Sequence, residues 1–248
     1  MNYNFEICAN SVESCIAAQK GGAQRVELCA GIPEGGTTPS IGEIRTARKM
    51  IDIKLHVIIR PRGGDFLYST IEKNTMIEDI YAAREAGADG LVFGALTPDG
   101  DIDLKLMKEL MDASGNCPVT FHRAFDRCKD PFRALEEIID LGATRILTSG
   151  QQPSAPQGAA LIRQLIERSK DRIIILAGCG VNENNIRQLA QESGAHEFHF
   201  SARENIRSSM RYSNPEVLMG SADVDEYVRA VTTAERVRKT IAACTDQE

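Results

Sequence analysis

Apolar residues gather along the chain in short β-rich runs, each followed by a stretch with helical spacing. The runs fall at residues 5–8, 25–29, 54–59, 90–93, 119–121, 145–148, 173–176 and 197–200. Strands separated by helix-length connections must pair in parallel through crossovers. Eight such units in 248 residues predict an α/β chain, a single (β/α)8 TIM barrel over residues 1–248, close to the usual length of that fold.

The ends of the helices are chemically marked. Asn10 with Glu13, Ser40 with Glu43, Ser69 with Glu72 and Asp223 with Glu226 have capping-box or similar spacing, and Asp130-Pro131 places a cap before a first-turn proline. Four helix-to-strand junctions also repeat, at Gly22-Ala23, Gly87-Ala88, Gly142-Ala143 and Gly194-Ala195, where the glycine can end a helix in the left-handed conformation. A final helix is predicted over about 223–243, with Val224, Tyr227, Val228, Val231, Ala234, Val237 and Ile241 on one stripe. Before it runs a long loop, about 203–222, of a length that in compact domains serves either function or contact with a partner subunit.

Composition narrows the possible partners. A formal charge of −6, with Lys and Arg interleaved among Asp and Glu, argues against a broad nucleic-acid surface but leaves room for local basic pockets. The start lacks the basic and apolar regions of a signal peptide and no apolar run is long enough to span a bilayer, so a cytoplasmic protein without membrane contact is expected. Seven cysteines without CxxC spacing suggest free thiols rather than a disulfide framework.

In a barrel of this kind the loops after the strands build the active face. Strand one ends Glu6-Ile7-Cys8 and strand two Glu27-Leu28-Cys29, and period-two alternation puts the Glu and Cys of each strand on one face. If that face points inward, two thiols on strands about 4.8 Å apart could bridge a soft ion such as Cu(I). From the residues alone core filler is the favoured reading of Cys8 and Cys29, since free Cys is among the most buried residue types and the Cys-Cys or Cys-His spacing of a dedicated metal site is absent. Glu6 and Glu27 invite a paired or catalytic role, because Glu is rarely buried alone.

Further candidates lie at the other strand ends. Arg60-Pro61-Arg62-Gly63-Gly64-Asp65 suits an anion or a carboxylate partner, although Arg60 could instead pair internally with Glu6 or Glu27. His122, followed by Arg123 and by Asp126 as an orienting carboxylate, has the composition of an acid-base group; a structural histidine is the alternative. Ser149 after strand six, Gly178 and Gly180 after strand seven and Ser201 after strand eight lie where barrels hold phosphate on backbone N–H groups, or where turns simply need glycine. His56 and His196 look structural, and His199 is unassigned.

Several of these segments together resemble the CutC copper homeostasis family. They are Val26-Glu27-Leu28-Cys29, Glu34-Gly35-Gly36-Thr37-Thr38-Pro39-Ser40, Arg60-Pro61-Arg62-Gly63-Gly64-Asp65-Phe66, Thr120-Phe121-His122-Arg123-Ala124-Phe125-Asp126 and Leu147-Thr148-Ser149-Gly150, with Phe198-His199-Phe200-Ser201-Ala202 and Met210-Arg211-Tyr212 further on. The resemblance implies a cytoplasmic barrel in copper handling, assembled as a homo-oligomer, with a dimer expected. It also implies that Cys8 and Cys29 match cysteines proposed to bind Cu(I); Cys179 is not assigned to metal. Two functions therefore stand at this point. One is Cu(I) binding at the barrel mouth. The other is an enzyme on a small anionic or phosphorylated metabolite, with Glu6, Glu27, His122 and Asp126 as acid-base groups and Arg60, Arg62, Asp65, Arg123, Ser149, Gly178, Gly180 and Ser201 binding substrate. A pure scaffold gives no reason to gather so many ionisable groups at one face.

Overall fold

The structure is a computed structural model that describes residues 3–214, 216–217 and 225–245. Strands and helices alternate as β1 (Asn4–Ala9), α1 (Val12–Lys20), β2 (Arg25–Leu28), α2 (Ile41–Met50), β3 (Lys54–Ile58), α3 (Thr70–Glu85), β4 (Gly90–Phe93) and α4 (Leu104–Ser114). The second half continues β5 (Val119–Phe121), α5 (Pro131–Asp140), β6 (Arg145–Thr148), α6 (Ala159–Ser169), β7 (Ile174–Gly178), α7 (Ile186–Ser193) and β8 (Glu197–Phe200). It ends with β9 (Arg203–Arg207), β10 (Val228–Thr232) and α8 (Ala234–Thr245). Strands β1 to β8 form a closed parallel barrel in chain order, β8 returning to pair with β1.

Local chemistry explains most boundaries. Ser40 and Ser69 cap α2 and α3 with both arms of the capping box made by Glu43 and Glu72, and Asp130 caps α5 ahead of Pro131. Each such cap is worth about 1 kcal/mol because it satisfies N–H groups that the helix itself cannot. At α1 the cap is Ser11, whose side chain accepts from Ser14 N, rather than Asn10. The Asn10 side chain is engaged elsewhere, donating to the Ala230 carbonyl. The junction glycines 22, 87, 142 and 194 all have positive φ, between +72° and +96°, as a left-handed helix end requires.

Alternation along the strands divides two environments. Phe5, Ile7 and Ala9 of β1 point outward into a continuous apolar layer with Cys15 and Ala18 of α1 and Val26 and Leu28 of β2. Glu6 and Cys8 point into the barrel. The same alternation on β8 sends Phe198 and Phe200 to the helix layer and His199 inward.

The C-terminal part departs from the periodicity reading. The final helix begins at Ala234, and residues 228–232 instead form β10, antiparallel to β9. The spacing of Tyr227, Val228 and Val231 fits a helix, yet Val228-Arg229-Ala230-Val231-Thr232 is also β-branched and alternating, and a strand partner from the start of the long connection decides between them. The first five residues of that connection, 203–207, are therefore strand rather than loop. Asp223 and Val224 lie outside the described residues.

Candidate functional site

A cavity of about 730 Å³ opens at the C-terminal ends of the barrel strands, within the size range of small-molecule sites. Its floor is made by Cys8, Glu27, Cys29 and His199, and its walls by loops that carry Arg60, Phe66, His122 and Arg203. Parallel register places the floor residues together: Cys8 lies beside Glu27 across β1 and β2, and Glu6 beside His199 across β1 and β8.

The two sulfurs, Cys8 Sγ and Cys29 Sγ, are 3.6 Å apart. Cys29 Sγ also lies 3.4 Å from the Ala9 carbonyl oxygen, so its single proton has two acceptors within reach. Arg203 donates a 3.2 Å hydrogen bond to Cys8 Sγ. The Cys29 contact, then the neighbouring His199 and Arg203, hold the Cys8 thiol well below its ordinary value, outweighing its burial, while the Cys8 contact and burial push Cys29 up. The pair is thus biased toward a thiolate on Cys8 and a thiol on Cys29.

His199 Nδ1 is 2.7 Å from Glu6 Oε1, and its Nε2 is 3.5 Å from Glu27 Oε2. Burial alone would depress this histidine, but Cys8, Glu6 and Glu27 together raise it well above its ordinary value, so imidazolium is the favoured state. Glu27 behaves oppositely: burial pushes it up to about 8 despite His199, so the carboxyl is mostly protonated at neutral pH. One ligand atom each from Cys8, Glu27 and His199 falls within 4.8 Å of the others. Ile58 and Val92 pack with Cys29, with Cys8 and Ile32 against them, so apolar surface shields the sulfurs on one side. Two sulfurs, an imidazole and an oxygen make a donor set that suits a soft ion.

Beneath the floor the barrel interior is charged. Arg25 bonds Glu6 and, at 2.6 Å, Glu197, which also receives Arg145 Nε at 3.1 Å. Two carboxylates and two guanidiniums balance here, which makes such burial tolerable. Burial would raise Glu6, but Arg25 and the His199 hydrogen bond outweigh it and keep Glu6 ionised. His56, 3.7 Å from Glu6, is pushed by burial down to about 4 and stays neutral.

The other predicted residues divide between the cavity lining, which includes Arg60, His122 and Asp126, and the loops behind it. Arg60 does not pair with Glu6 or Glu27: its guanidinium donates to the carbonyls of Glu34, Gly36 and Gly64, each at 2.8 Å. Strand β2 supplies the internal partner itself, as Arg25 in register with Glu6. Asp126 does not orient His122; it accepts from Arg123, Thr148, Ser149 and Gln151 and ties the loops after β5 and β6 together. His122 is buried, accepts from Ala124 N through Nδ1, and is pushed by burial and by Arg60 down to about 3, so it is neutral and carries its proton on Nε2. Arg62 and Asp65 pair with each other, and Arg62 also with Glu72, away from the cavity lining. Ser149 and Gly178 sit behind the wall, whereas Arg123, Gly180 and Ser201 reach it.

Sequence reasoning left His199 unassigned and overlooked Arg25. The signal for both was present: Glu197-Phe198-His199-Phe200 alternates polar and aromatic, like Glu6-Ile7-Cys8 in β1, and Arg25 is two residues before Glu27 on the same face. The inward roles of Arg203 and Arg236 come from the β9–β10 hairpin and α8 and have no local signature.

Comparison with known proteins gives a consistent family. The CutC family model matches residues 3–204. A family protein CutC of Bacteroides thetaiotaomicron is 65% identical over 243 residues, covering 97% of this chain and 98% of the relative. The human copper homeostasis protein cutC homolog is 50% identical over 235 residues, covering 94% of this chain and 86% of the relative. A solved CutC structure from Streptococcus agalactiae superposes with a TM-score of 0.77 at 35% identity, covering 80% of this chain and 98% of that one. A solved aldolase, QR15, at 17% identity and TM-score 0.57, with 77% and 82% covered, shares the barrel fold alone.

Proposed function

Since the chain belongs to the CutC family, whose human relative is named for copper homeostasis, we propose that it serves copper homeostasis by holding Cu(I) as cargo at the barrel mouth. The observation that carries this reading is the 3.6 Å approach of Cys8 Sγ and Cys29 Sγ at the cavity floor. Soft thiolates select Cu(I) over harder ions, and the Cys8 side of the pair is already biased toward thiolate. His199 supplies a third donor through Nε2, and its Nδ1 partner Glu6 fixes the ring, as outer carboxylates do for metal-bound histidines. Loading requires Cys29 and His199 to give up protons, so protons compete with the ion. A cytoplasmic location and assembly as a homodimer belong to the same reading.

The test is a Cu(I) competition titration against a chromophoric chelator under reducing, oxygen-free conditions. The double variant Cys8→Ser, Cys29→Ser is expected to weaken Cu(I) binding by at least about 100-fold, and His199→Asn by about 10- to 100-fold. A double variant that binds as tightly as the parent removes the site.

A further inference from the structure

Above the sulfur floor the cavity carries a charge pattern that a bound copper ion does not use. Five arginines line it, Arg60, Arg123, Arg127, Arg203 and Arg236, against the carboxyl groups of Glu27, Glu34 and Asp126. Asp126 is taken up by Arg123 at 2.7 Å, and Arg236 lies 3.5 Å from Glu183, which leaves Arg60, Arg127 and Arg203 against Glu27 and Glu34. A chain with a net charge of −6 therefore presents a cationic excess in the barrel-mouth cavity, where low-dielectric walls focus the field on an entering anion.

Two of the wall residues are built in a way that their own chain leaves incomplete. Arg60 is only 4% exposed, yet it donates to three neutral carbonyls and lies beside the neutral Tyr68 hydroxyl, and its Nε makes no hydrogen bond. Carbonyls satisfy donors without cancelling charge, so a buried guanidinium is left without a counter-ion among the described residues. His122, also 4% exposed, donates nothing from Nε2 while Nδ1 is held by Ala124 N–H. Both groups pack on Phe66: the guanidinium carbon lies 5.1 Å and the His122 ring 4.9 Å from its ring centroid. Arg203 Nε, on the β8 side of the cavity, is likewise buried without a partner.

We propose that Arg60 and His122 form an anchor for the phosphate or carboxylate group of a small organic metabolite, whose body fills the cavity toward Arg203. The site takes an oxyanion rather than a cation because the incomplete atoms of the cavity-lining residues, Arg60 Nε, His122 Nε2 and Arg203 Nε, are N–H donors. The remaining volume exceeds what a bare anion needs and provides Phe66 as an apolar surface for the body. The anchor itself lies on the loops after β3 and β5, apart from the sulfurs on β1 and β2, whereas Arg203 borders both, since it also donates to Cys8 Sγ.

Calorimetric titration of the metal-free full chain at low ionic strength tests it, with inorganic phosphate in one arm and oxalate in the other. Saturable 1:1 binding of at least one anion is expected, and the tighter arm identifies which group the anchor prefers. His122→Asn and Arg203→Gln are expected to weaken it by about tenfold each, the loss of a charge-assisted or buried hydrogen bond. Arg60 also staples two loops, so Arg60→Lys, which keeps the charge but loses the fork, accompanies Arg60→Gln; weakening in the folded Lys variant supports the anchor. Arg62→Gln, outside the cavity, should bind as the parent does. No saturable binding in either arm, parental affinity in both His122→Asn and Arg203→Gln, or equal loss in Arg62→Gln would overturn the anchor and leave Arg60 as a loop staple. Weaker Cu(I) binding in His122→Asn, a residue outside the sulfur floor, would overturn the anchor's separation from the copper reading.

Discussion

Glu27 and His199 show how one small volume drives neighbouring groups in opposite directions. Burial dominates for Glu27, pushing it up to about 8, whereas for His199 the anionic neighbours overcome burial. The Glu27 shift has a consequence for stability. A carboxyl whose folded value lies above its ordinary 4.5 stabilises the fold fully at low pH, and that contribution is lost as pH rises toward and through about 8. Glu27→Gln cannot ionise, so its melting temperature should match the parent near pH 5 and exceed it by at least about 3 °C near pH 9. Parallel melting curves across that range would mean that Glu27 is ionised throughout. The same residue-scale logic explains why the sulfur pair is unequal: Arg203 faces Cys8, while Cys29 has a carbonyl oxygen beside it.

At the scale of elements, the helix caps and the barrel wall are governed by different physics. Capping is local, so Ser40, Ser69 and Asp130 are legible from spacing alone. The wall depends on what lies across it. Gly90 in β4 has no unusual φ, yet a Cβ there would stand 2.4 Å from His56 Nε2, so the glycine makes room for a ring from β3. Gly90→Ala should cost about 1–3 kcal/mol by overpacking, read from the urea midpoint, and His56→Ala in the same chain should recover part of it. An unchanged midpoint in the single variant would show the ring free to swing aside. The β9–β10 hairpin is the element that periodicity missed, because its strand character depends on a partner some twenty residues away. It matters to the site: Thr232 Oγ1 bonds the Ser201 carbonyl and Arg236 of α8 bonds the Arg203 carbonyl, holding the end of β8 over the floor.

Across the whole molecule, the barrel is closed around charge rather than around aliphatic layers alone. Arg25 of β2 connects Glu6 of β1 with Glu197 of β8, and Arg145 adds β6, so the network joins four strands of the ring. Exchange of such a network for apolar residues can be neutral, but removal of one partner strands the others. Arg25→Met should therefore destabilise the protein by about 3–5 kcal/mol in urea unfolding. A loss below about 1 kcal/mol would show that water or protonation relieves Glu6 and Glu197. The network also underlies the site, since the Glu6 carboxylate that Arg25 keeps ionised is the one that holds His199.

What the chain by itself determined was periodicity and local chemistry: eight strand and helix units, their order, most caps, the four glycine helix ends, and the inward alternation of Glu6, Cys8, Glu27 and Cys29. These are readable because side-chain direction repeats every two residues in a strand and caps act within one turn. Only the tertiary structure decided which inward groups meet. Closure of β8 on β1 brought His199 to Glu6 from 193 positions away, register gave Arg25 rather than Arg60 to Glu6, and the loops took Asp126 from His122. Pairing across a closed barrel depends on register and closure rather than on spacing along the chain, so no single strand carries the information.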